Sequence, residues 1–111
     1  MATNKFNNNI LLTGLNQIQA QNPELAIEET KGIFLAPLES DEELDLEILG
    51  INLIMDQPNG VAYWVILLCG SDSQEYANRL SELDPDLEVL IHDLQGTRNG
   101  MELFNITIIA G

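Results

Sequence analysis

The residues best suited to chemistry in this chain are Cys69 and the adjacent pair His92-Asp93. A thiol, an imidazole and a carboxylate can act as nucleophile, general base and orienting group if the fold brings them together. Both positions fall near the ends of predicted strands, at the edge where open α/β sheets bind ligands. The competing reading is structural. Cys69 closes a run of core residues, where a free cysteine behaves as a small hydrophobe. His92 sits on the opposite parity from Leu87, Val89 and Ile91, which turns it toward water. No further motif supplies the remaining roles of an active site. A small enzyme using Cys69 and His92 therefore ranks third among the functions considered.

Other constellations are weaker. Asp84, Asp86 and Glu88 place oxygen ligands at alternate positions, but Pro85 and Leu87 do not fit a calcium loop. These acids read more simply as a helix stop on a solvated turn. The eight glycines never assemble a phosphate loop or a dinucleotide fingerprint. A single cysteine and a single histidine exclude a disulfide framework and a multi-thiolate zinc site. No metal site and no cofactor is expected.

Charge is the stronger signal. Four basic residues stand against eighteen acidic ones, a net charge of −14 in 111 residues. Residues 1–23 hold only Lys5, or +1; residues 24–111 hold three basic and eighteen acidic groups, or −15. The acids are densest at Glu39, Asp41, Glu42, Glu43, Asp45 and Glu47. A broad surface of this sign repels nucleic acid phosphates and anionic lipid, so neither direct nucleic acid binding nor a membrane role is expected. With 45% hydrophobic residues the chain is not a disordered acidic tail. A charge run is commonly a solvated face, and an acidic edge also blocks strand aggregation. So many like charges nevertheless repel one another in the compact state, and a concentrated acidic face steers a basic partner.

The elements that must position these groups follow from periodicity. Leu11, Leu15 and Ile18 mark an amphipathic helix over roughly 7–21, with Asn7 as cap, behind a flexible 1–6. Its polar face is rich in uncharged amides, a natural contact surface in an acidic protein. Asn22 through Gly32 has the punctuation of a short helix, and Ile33-Phe34-Leu35 reads as a short strand before Pro37. Over 40–55 two patterns compete. Ser40 and Glu43 match a capping box, whereas Leu44, Leu46 and Ile48 alternate with acids as a strand does. The strand is preferred, with a bulge at Gly50 where the parity switches to Ile51, Leu53 and Met55.

Val61 to Cys69 is a continuous apolar strand, predicted to be buried on both faces. Tyr76, Leu80 and Leu83 form the inner stripe of a helix over 72–83. Leu87, Val89 and Ile91 mark the next strand, and Phe104, Ile106 and Ile108 the last. Strand, helix and strand across 61–93 imply a right-handed βαβ crossover with parallel strands. The expected fold is α+β: one domain over 1–111, a mixed sheet of four or five strands with one βαβ unit, packed by the N-terminal and 72–83 helices. There is no apolar segment long enough to span a bilayer and no export signal in the sequence, so a cytoplasmic location is expected.

These readings favour a non-enzymatic acidic module that inhibits, neutralises or adapts a basic protein, such as a nuclease, toxin or nucleic-acid-binding protein. Its expected surface is Glu39, Asp41, Glu42, Glu43, Asp45 and Glu47. The alternative is a structural or assembly subunit, possible as a homo-oligomer through its uncharged N-terminal helix.

Overall fold

The computed structural model describes residues 2–24, 27–38, 44–56 and 61–110, with side chains described from Ile10 onward within those ranges, apart from Asp56, Val61, Ala62 and Ala110. The elements run α1 (Ala2–Gln21), α2 (Glu28–Leu35), β1 (Glu47–Asp56), β2 (Val61–Cys69), α3 (Ser73–Leu83), β3 (Glu88–Arg98) and β4 (Met101–Ala110). Four strands form one sheet in the order β1-β2-β4-β3.

The expected mixed sheet is corrected, because all three pairings are antiparallel. β2 and β3 do run in the same direction, as a strand–helix–strand unit requires. They are not neighbours, since β4 inserts between them and pairs antiparallel with both. The hairpin after Arg98 returns the chain into that gap through Asn99 and Gly100, both at positive φ. A two-residue turn of this kind folds back directly, whereas parallel neighbours need a longer crossover.

Registers divide the side chains into two sets. One face carries Ile48, Ile51 and Leu53 from β1, with Trp64, Ile66 and Leu68 from β2. Phe104, Ile106 and Ile108 from β4 and Val89 and Ile91 from β3 lie on the same face. Those residues join Leu11, Leu15 and Ile18 of α1, Phe34 of α2, and Tyr76, Ala77 and Leu80 of α3 in a single apolar core. All three helices thus lie on one side of the sheet. Phe34 meets Trp64 edge to face, with ring centroids 5.6 Å apart at 79°, a geometry favoured by the ring quadrupoles.

The opposite face has no helix over it among the described residues. β2 is therefore buried along one face, at Trp64, Ile66 and Leu68, while on the other Tyr63 and Val65 are half-buried, Leu67 is exposed and the terminal Cys69 is covered. A wholly apolar run suggested two covered faces, but the crossover helix α3 returned to the side already occupied by α1.

Two further expectations change near the N-terminus. α1 begins at Ala2, so Asn7 lies inside the helix rather than capping it. Ile33-Phe34-Leu35 is the last turn of α2, not a strand. Ile27, Phe34 and Leu38, spaced by seven and four, are all buried, which is helical spacing. In the contested stretch the strand holds from Glu47 onward, while Leu44 to Leu46 is irregular and 40–43 lies outside the described residues. The register shifts between Ile48 and Gly50, with Leu49 as the extra residue, so the bulge stands where the parity changes.

Candidate functional site: an acidic corner beside an open sheet face

The acidic segment reaches the described fold at Asp45, and Glu39, Asp41, Glu42 and Glu43 lie outside the described residues. Leu44 and Leu46 are buried on either side of Asp45, which holds the exposed Asp45 between two core anchors. Its backbone N–H donates to Asp72 Oδ2 at 2.6 Å. The Ser71 hydroxyl donates to Asp45 Oδ2 at 2.6 Å. The Asp72 N–H in turn donates to the Asp45 carbonyl at 3.1 Å. This reciprocal lattice ties the approach to β1 onto the turn between β2 and α3.

Gly70 makes the contact possible. Its φ is +129°, and a side-chain carbon there would run into the Asp45 carbonyl oxygen and the Leu46 backbone. Only glycine combines that conformation with so close a backbone approach. The Gly70 N–H donates to the Glu102 carbonyl at 3.2 Å, which stitches β4 into the same corner. Glu47, half-buried, pairs with Cys69 at the first position of β1. Asp45, Glu47 and Asp72 thus converge on one end of the sheet. Ser71, Gly70 and Asp72, which set this geometry, are not among the site residues that the sequence singles out. Their only signal was a dense run of helix-capping types after an apolar strand.

The thiol, imidazole and carboxylate are not assembled. Cys69 and His92 share the open face by register, but β4 separates their strands and they are offset by two residues. Strand spacing puts their backbones roughly 12 Å apart, far beyond hydrogen-bond reach. Cys69 is buried. Burial, and then the nearby Glu47 carboxylate, push its thiol above the ordinary range, so it is a poor source of thiolate. Asp93 lies on the helix side by register, and its Oδ1 accepts from the Gln95 N–H at 2.9 Å instead.

Asp84, Asp86 and Glu88 form no metal cage. Asp84 Oδ1 accepts from the Asp86 N–H at 3.1 Å, and the Asp84 carbonyl from Leu87, a turn built from its own polar groups. Among the described residues no cluster of three metal-ligating side chains occurs. A groove of about 470 Å³ between the end of α1 and β1 is lined by Gln21, Asn22, Pro23, Glu24, Leu53 and Met55. It brings one carboxylate and no second titratable group. No described helix is long and apolar enough to cross a membrane.

On α1 the apolar stripe is used in the core, while Thr13, Asn16 and Gln17 stay exposed and uncharged. Compared with known protein families, curated proteins and solved structures, the chain matches none.

Proposed function

We propose that this protein is a non-catalytic binding module that engages a basic protein through the acidic corner of its sheet, with 39–47 as the contact segment. One observation carries the reading: Asp45 is fixed by Ser71 and Asp72 while remaining exposed. An acidic segment tied down at its base presents charge from a defined place, and pre-organised charge loses less entropy on binding. Glu47 and Asp72 add to the field at that end, and a concentrated field raises the rate of encounter with a basic surface. Inhibition, neutralisation or adaptation of a nuclease, toxin or nucleic-acid-binding subunit all fit such a partner. The separation of Cys69 from His92 supports a non-catalytic reading over the enzyme reading.

The test is capture from a lysate of the source cells at low and high salt. Retention of one basic protein, weakened by salt and lost on Glu42→Gln, Glu43→Gln, Asp45→Asn and Glu47→Gln together, supports the proposal. Capture that this quadruple variant leaves unchanged sinks it.

A further inference from the structure

The face of the sheet opposite the helices plays no part in the proposed function. It presents Ile54, Tyr63, Val65, Leu67, Leu90 and Ile109, with Leu67 37%, Leu90 39% and Ile54 50% exposed. Four strands at ~4.8 Å spacing and about nine residues at ~3.4 Å rise make a face of roughly 600 Å². Exposed apolar side chains gathered on one face, here interleaved with Asn52, His92, Asn105 and Thr107, mark an interaction site.

We propose that a second copy of this chain docks here, sheet against sheet, about a two-fold axis along the strands.

Area is the first argument. Two such faces bury roughly 1,200 Å² in total, the lower bound of stable specific interfaces.

Charge selects the occupant. By register the described side chains of this face include Glu47 and Glu88 against Arg98, two acids against one base. A near-neutral apolar face suits an equally neutral one. Stacked sheets sit ~10 Å apart and each helix layer lies ~10 Å behind, so Glu28, Glu29, Glu75 and Glu82 of α2 and α3 are separated from those of the other copy by roughly 30 Å. That is several Debye lengths at physiological salt, where one is about 8 Å.

Position supplies complementarity. Arg98 pairs with Met101 and Glu47 with Cys69, which faces Leu103, so both charges lie at the same strand end. They sit on opposite edge strands, β3 and β1. A two-fold axis along the strands stacks β3 over β1 of the other copy and sets Arg98 against Glu47 of the partner subunit, twice per dimer. Among the described residues Arg98 makes no ion pair within its own chain.

Sedimentation velocity on the full chain, from micromolar to submillimolar and from low to high NaCl, tests the proposal. A species of twice the 12.3 kDa protomer mass is expected, tighter in high salt because like-charge repulsion is screened. Leu67→Glu and Thr107→Lys, both on exposed or half-buried face positions, are expected to weaken it by roughly tenfold or more, with circular dichroism unchanged. Glu47→Arg and Arg98→Glu should each weaken it by roughly three- to tenfold, and the double exchange should restore it. A chain that stays monomeric at submillimolar concentration in high salt overturns the proposal. So does a dimer indifferent to all four face variants. The two readings are told apart by Leu67→Glu and Thr107→Lys, which lie outside the acidic corner, whereas Glu47 belongs to both surfaces; salt also acts on basic-partner binding with the opposite sign.

Discussion

The Tyr76 hydroxyl donates a 2.8 Å hydrogen bond to the Phe34 carbonyl oxygen, joining α3 to α2 inside the core. Tyr76 is fully buried, so the bond also satisfies a phenol that no water reaches. Tyr76→Phe leaves the carbonyl without its donor and is expected to cost about 1–3 kcal/mol, read from the urea midpoint. Burial pushes the Tyr76 phenol well above its ordinary value of 10.0. The unfolded chain therefore releases this proton first as pH rises. The contribution is intact below pH ~10 and is lost progressively above it. Wild type should lose stability more steeply than Tyr76→Phe above that point; parallel curves would refute the assignment.

Phe34 and Trp64 illustrate what the sequence conceals. The strand reading of Ile33-Phe34-Leu35 rested on three apolar residues between glycine and proline, too short a run to reveal a period. The helical pattern becomes visible only with Ile27 and Leu38 included, and these fall outside the run, Ile27 in the separate short helix read over 22–32 and Leu38 beyond Pro37. Longer patterns were legible: α3 with its Tyr76 and Leu80 stripe, the bulge before Gly50, and the alternation of β3 and β4. The insertion of β4 between β2 and β3 is a pairing choice between distant segments. Nothing local in Val61–Cys69 records it. The same insertion places a strand between Cys69 and His92 and leaves one face of β2 open.

The Phe34–Trp64 edge-to-face contact joins α2 to the central strand. Phe34 is buried, and Phe34→Ala removes both the transferred area and the aromatic contact. A loss of about 3–5 kcal/mol is expected. Trp64 supplies the readout: its fluorescence in the native state should shift toward that of the unfolded chain as water reaches the vacated site.

Gly70 and Gly100 separate two penalties that glycines can carry. Both have positive φ, but nothing lies near a carbon added at Gly100, whereas one at Gly70 meets the Asp45–Leu46 backbone. Gly100→Ala should cost about 1 kcal/mol from backbone strain alone. Gly70→Ala should cost about 2–4 kcal/mol, since the strain is joined by a contact that displaces the acidic corner. Equal denaturation midpoints for the two variants would contradict this account of the corner.

The corner hydrogen bonds can be tested apart from partner binding. Asp72→Ala removes the acceptor of the Asp45 N–H and should cost only about 0.5–1.5 kcal/mol in global stability. Its sharper signature is local: the Asp45 amide should exchange with solvent faster, while amides at the centre of β2 keep their protection. Uniform acceleration across the sheet would show that Asp72 supports the whole fold rather than the corner.

Cys69 closes β2 on the open face yet is only 2% exposed, flanked by Glu47 and Leu103 on the neighbouring strands. Its thiol is raised by burial and by the adjacent carboxylate, so in the folded state it remains protonated at pH values where an unfolded thiol begins to ionise. Alkylation by iodoacetamide needs both the thiolate and access. At mildly alkaline pH the native protein should be modified slowly, and urea should release a fast reaction of one thiol per chain. The raised thiol contributes stability that is intact below its ordinary 9.0 and fades as pH climbs beyond it. Cys69→Ala should flatten that part of the alkaline profile at a cost of about 1 kcal/mol for the lost sulfur packing. Rapid native alkylation would place the thiol in water and require a different packing at the end of β2.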